Sequence, residues 1–169
     1  ERQFEQRVLG YHFPGAELTA LKIEGRKDIN APLVLRYSFQ APSLLRPGRG
    51  GGIAFSLALY GADLGKAYLG VGSRTRDLIV DDLPLEEVSA KVTLPPGAAM
   101  VGAPDPISLD GPYGKFTQTI KADGPGSFTV TQSLRMPLRR VPRTEYEAFS
   151  RFVRGIDAAQ AREVALGRK

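Results

Sequence analysis

His12 is the only imidazole in a chain of 169 residues that has no cysteine, so the nucleophilic and metal chemistries open to it are few. A Ser-His-Asp arrangement would have to use His12 as its base, and a thiol nucleophile or a thiolate metal site is excluded outright. His12 lies between Tyr11 and Phe13 at the end of a predicted helix, where a partly buried structural histidine is the simpler reading. The paired acids Asp81-Asp82 and Glu86-Glu87 offer clustered carboxylate oxygens. A calcium loop, however, needs acidic ligands at alternating positions around a glycine, and a glycosidase pair must face across a sugar. A charged loop flanking Leu83-Pro84-Leu85 is therefore expected. The run from Arg46 to Gly52 is rich in glycine but lacks the Gly-Lys-Ser/Thr ending and leads into a strand. Neither a lysine nor a helix dipole is available there for phosphate. The residues predict no catalytic group, no cofactor and no metal.

Binding remains as the chemistry to place. Tyr60, Tyr68 and Tyr113 lie near glycines and could line a groove for a glycan or a peptide, although tyrosines at sheet rims cap cores as often. The arginines are distributed unevenly. Residues 135–169 carry nine basic side chains against four acidic ones, whereas residues 1–134 carry fourteen of each, so the whole excess of +5 belongs to the closing segment. Arg139, Arg140 and Arg143 gather at a strand-to-helix junction, and Arg74 and Arg76 add a second basic pair upstream. A nucleic-acid surface would need a broader basic stripe with interleaved aromatics, so a solvated face or contact with an acidic partner is expected instead.

Hydrophobic residues at 42% and charged residues at 24% are ordinary globular values and argue against disorder. The apolar runs are only a few residues long, far short of the roughly 20 that a spanning helix needs, so no direct membrane insertion is expected. The chain opens at Glu1 without a charged and apolar leader and reads as a piece of a longer polypeptide.

The elements that must carry these side chains are mostly strands. Thr19, Leu21 and Ile23 alternate, as do Leu33, Leu35, Tyr37 and Phe39, then Ile53, Phe55, Leu57 and Leu59, and later Val88, Ala90, Val92 and Leu94. A further strand is expected from Arg74 to Val80, and the glycines between Tyr60 and Ser73 suggest bends. Phe116, Gln118 and Ile120 form one arm of a predicted hairpin. The turn is Gly124-Pro125-Gly126, and the other arm is Phe128, Val130, Gln132, Leu134, Met136 and Leu138. Short strands without intervening long helices predict a mainly β fold, an antiparallel β-sandwich of immunoglobulin-like or related type, over a single domain of residues 1–169. A short N-terminal helix is predicted at about 1–13, where Phe4, Val8 and Tyr11 share a face and Pro14-Gly15 stops it. A C-terminal α-helix is predicted over about 144–166, opened by a capping box between Thr144 and Glu147. Its buried stripe would be Tyr146, Phe149, Val153 and Ile156.

Several segments line up in order with one family. They are Phe13-Pro14-Gly15-Ala16, the run from Pro32 to Phe39 with Ala41-Pro42, Ser73 to Leu78, Val92 to Pro95, and Glu145-Tyr146 with Phe149, Phe152 and Ile156. Together they resemble the C-terminal domain of unknown function that follows the papain-like core of bacterial transglutaminase-like proteins. The resemblance implies a non-catalytic accessory sandwich whose partner is the adjacent transglutaminase-like domain of the same polypeptide. It also implies a periplasmic or extracellular location. With no cysteine present, none of that family's catalytic residues carries over to this chain.

Overall fold

The computed structural model describes residues 9–10, 13–25, 34–48, 52–57, 63–70, 72–81 and 83–168, the side chains of 83–85 and 168 excepted. The chain divides into two compact units, Glu1–Arg46 and Pro47–Lys169. In the first, β1 (Glu17–Glu24) and β2 (Val34–Gln40) form an antiparallel ribbon whose register runs from Glu17 opposite Gln40 to Glu24 opposite Val34. The predicted alternation is realised at Tyr37 and Phe39, which are half-buried, while Leu35 is 43% exposed. Phe13 stacks 4.8 Å from Phe39. Gly15, at φ 77°, makes the turn out of the Phe13 segment. Most of the helix expected over 1–13, and His12 with it, lies outside the described residues.

In the second unit the largest sheet has the antiparallel order β6 (Leu83–Thr93), β10 (Ser127–Met136), β9 (Gly114–Gly124), β8 (Ile107–Gly111). The hairpin predicted around Gly124-Pro125-Gly126 is β9–β10. Its inner face carries Phe116, Gln118 and Ile120 beside Phe128, Val130, Gln132, Leu134 and Met136, all buried. Gln118 and Gln132 are cross-strand partners, and both amide atoms of Gln118 lack a hydrogen-bond partner among the described residues. The apolar face is thus interrupted at its middle by a polar pair, a costly place for an amide. Leu138, expected to continue the face, is 68% exposed because the strand ends at Met136.

Two different partners cover that face. In a second antiparallel sheet β12 (Glu163–Arg168) lies between β4 (Ile53–Ser56) and β7 (Ala98–Met100). From it the Phe55 ring meets Phe128 edge-on at 5.3 Å. At the other end α2 (Tyr146–Gln160) brings Phe149, Val153 and Ile156, all fully buried, into one cluster with Phe116, Leu134 and Met136. Burying these three side chains contributes roughly 1.5–3 kcal/mol each, so packing rather than propensity holds the helix. Gly155 admits Leu109 of β8, whose Cδ1 would lie 3.1 Å from an added Cβ.

Several expectations are corrected. The C-terminal helix stops at Gln160, and residues 163–168 form β12, with Val164 fully buried between two strands. The capping box is not formed: residues 143–145 make a 3-10 turn that runs straight into α2. Glu145 is already helical at its start, and Glu147 is instead paired with Arg151 at 2.7 Å. Residues 83–85, expected in a loop, open β6; Pro84 is tolerated because β6 is an edge strand. The bends expected after Tyr60 include a helix, α1 (Leu64–Tyr68). It is anchored to α2 because Asp157 Oδ2 accepts from the Gly65 N–H at 2.8 Å. A side chain at Gly65 would meet that oxygen at 2.5 Å.

Candidate functional site

The strand expected from Arg74 to Val80 is only β5 (Leu78–Val80), and it pairs antiparallel with β11 (Arg139–Val141). In the preceding residues the side chains of Arg74 and Asp77 are engaged elsewhere. Arg74 turns back over the Tyr146 ring, 5.3 Å from its centroid, a cation–π contact. Asp77 reaches across to the β11 side, accepting from Arg140 Nε at 2.7 Å and from the Arg143 backbone N–H at 2.9 Å. In β5 Leu78 and Val80 point into the core, while Ile79 is 57% exposed and stands opposite Arg140 in the register.

This short ribbon, the 72–77 segment and the turn before α2 enclose a groove of 480 Å³ lined by Thr75, Arg76, Asp77, Ile79, Arg140 and Arg143. Most of these residues are exposed, so the groove is shallow and open along its rim. Three arginines and one carboxylate share its lining. Arg140 is held through Nε, which leaves its two Nη groups outside that bond, and the guanidiniums of Arg76 and Arg143 make no ion pair among the described residues. Such a fork is built for bidentate contact with carboxylate or phosphate oxygens.

The backbone N–H of Arg143, and after it the Arg140 guanidinium, hold the Asp77 carboxyl below the usual aspartate range. The Arg140 side chain is 74% exposed, so the pair matters for orienting Arg140 more than for stability. Because the folded value lies below the unfolded one, the contribution is complete above the ordinary value near ~3.9 and is lost as pH falls through the lower folded value. We expect Asp77→Asn to lower the urea midpoint slightly and by a constant amount from neutral pH down to about 5, the difference shrinking below about 4. A difference that grows on acidification would contradict this linkage.

The eight residues singled out as an interaction surface are placed unequally. Arg76, Arg140 and Arg143 meet in the groove, whereas Arg74 is not among its lining residues and lies over the buried Tyr146 ring. Arg139 instead lies over the Tyr113 ring at 5.2 Å and bonds the carbonyl of Pro112. Tyr68 and Tyr113 are core rather than rim, 9% and 7% exposed, because both rings pack edge-on against Phe149. Burial, reinforced by the nearby Glu145 carboxylate, pushes the Tyr113 phenol above its usual range. Tyr60 lies outside the described residues. Sequence reasoning missed Thr75, Asp77 and Ile79. The only signal for Asp77 was a lone acid after two arginines, and its role depends on Arg140 and Arg143, more than sixty residues away.

Residues 58–166 match the family described as a Domain of Unknown Function with solved-structure structure, DUF3858. The chain belongs to the DUF3858 family. The matched segment contains α1, β5, β11 and α2, and with them the six described residues lining the groove, whereas β4 lies just before it. No curated protein and no solved structure matches the chain. Among the described residues no helix is long and apolar enough to cross a membrane, and no group of three or more metal-ligating side chains converges.

Proposed function

We propose that this DUF3858 chain is a non-catalytic accessory module of a bacterial transglutaminase-like protein, packing on or regulating access to the neighbouring catalytic core in the periplasm or outside the cell. The observation that carries the reading is the arginine-lined groove, where three guanidiniums and one exposed isoleucine share a surface with a single carboxylate. Cations that a fold has not neutralised internally suit contact with an acidic partner surface and set its orientation. The ordered resemblance of five segments to the domain following a papain-like core supports the choice of partner, and the lack of any cysteine supports an accessory role.

The test mixes the chain with the transglutaminase-like core produced as a separate protein and follows both association and core turnover. Saturable binding that weakens with salt, with a change in turnover on saturation, is expected. No association up to several hundred micromolar, weaker than about −5 kcal/mol of binding free energy, together with unchanged turnover would remove the reading.

A further inference from the structure

The groove is chemically more specific than a generic basic surface. Ile79 projects beside Arg140, its register partner, so one apolar seat is set among the cations. Among the described residues no aromatic ring lines the groove, so none of them offers a platform on which a nucleobase could stack. Tyr146, at the start of α2, is 6% exposed and is covered by Arg74. Exposed lining residues make an open trough, suited to a chain passing through it rather than to a small molecule enclosed on all sides. Asp77 orients Arg140 through a direct ion pair and attracts the Arg143 charge at longer range, while Arg76 makes no ion pair among the described residues. Asp77 also repels an anion placed directly on Arg140 Nε.

We propose that the groove of Thr75, Arg76, Asp77, Ile79, Arg140 and Arg143 receives an extended acidic peptide segment, its carboxylates on Arg76 and Arg143 and a neighbouring aliphatic side chain on Ile79. Arg140, fixed by Asp77, offers its Nη groups to the segment from the β11 side. This deepens the accessory-module reading by naming the chemistry of the contact.

The experiment is a fluorescence-anisotropy titration of the whole chain with a short labelled peptide of alternating glutamate and valine. A glutamine-for-glutamate peptide, inorganic phosphate and a single-stranded oligonucleotide serve as competing probes. Saturable binding of the glutamate peptide alone is expected, weakened roughly ten-fold by each of Arg76→Ala and Arg143→Ala, since a charge-assisted contact is lost in each. Ile79→Ser should weaken it several-fold, and Arg151→Ala, outside the groove lining and paired with Glu147, should leave it unchanged. All four positions are exposed, so an unshifted urea midpoint will show that the variants fold. The proposal is overturned by absent saturation, by equal binding to the Arg76→Ala/Arg143→Ala double variant, or by equal binding of the glutamine peptide. It is also overturned if phosphate or the oligonucleotide displaces the peptide at a lower concentration than the unlabelled peptide itself. Core association that survives the double arginine variant would sink the groove and spare the accessory-module reading. Peptide binding without core association would do the reverse.

Discussion

Gly114→Ala is expected to lose roughly 3–5 kcal/mol of folding stability, a large share of the 5–15 kcal/mol typical of a domain. Gly114 opens β9 at φ 150°, and a Cβ added there would lie 2.3 Å from the Arg135 carbonyl oxygen and 3.1 Å from Met136 Cγ. The oxygen is backbone in the central strand of the sheet, and Met136 is fully buried, so neither can move aside cheaply. Backbone strain of about 1–3 kcal/mol and overpacking of similar size combine. The same glycine lets the Pro112-Tyr113 turn carry the Tyr113 ring into the core, so loss of hairpin register should appear together with loss of stability. Gly111, its partner across the turn, has open space around it. Gly111→Ala should therefore change stability by less than about 1 kcal/mol. Urea midpoints of the two variants decide the matter, and a Gly114→Ala midpoint close to the parent would show that the hairpin yields more readily than its packing implies.

Phe149→Ala should cost about 3–5 kcal/mol, the range for removing a fully buried phenylalanine. Its ring has no exposed surface and stands edge-on to Tyr113 at 5.5 Å and to Tyr68 at 6.0 Å. Through these contacts one side chain of α2 joins the β8–β9 turn to α1. Truncation should therefore weaken the near-ultraviolet circular dichroism of Tyr68 and Tyr113 in the folded protein as well as shift the urea midpoint. Phe149→Leu, which keeps most of the volume, should lose only about 1–2 kcal/mol. A loss below about 1 kcal/mol for the alanine variant would mean that α2 is not what closes this end of the sheet.

The mainly antiparallel β character was legible because side-chain alternation is a local property. Phe116, Gln118 and Ile120 could be set on the same face as Phe128, Val130 and Gln132 from spacing alone, and the hairpin between them follows from Gly124-Pro125-Gly126. The buried stripe of α2 was legible for the same reason, since Tyr146, Phe149, Val153 and Ile156 recur at helical intervals. Where the spacing failed, a competing contact was responsible. The sequence permits a helix through residue 166 because nothing in Glu163-Val164-Ala165-Leu166 forbids one. The chain becomes a strand there because β4 pairs with residues 163–166 and β7 with residues 166–168, so the two ladders between them satisfy its backbone.

The candidate site was legible only in its raw material. Arg76, Arg140 and Arg143 were visible as charges, yet that they converge, while Arg139 and Arg74 are drawn onto tyrosine rings, depends on pairing Leu78–Val80 with Arg139–Val141. Composition and periodicity alone determined a β-rich chain with no thiol chemistry, a basic closing segment and an amphipathic helix, because each of these depends on residue type and near-neighbour spacing. Tertiary structure alone decided which arginines line the groove, which tyrosines become core and how the final strand is housed. Each of those outcomes is settled by contacts between residues far apart in the chain, whose partners no local pattern encodes.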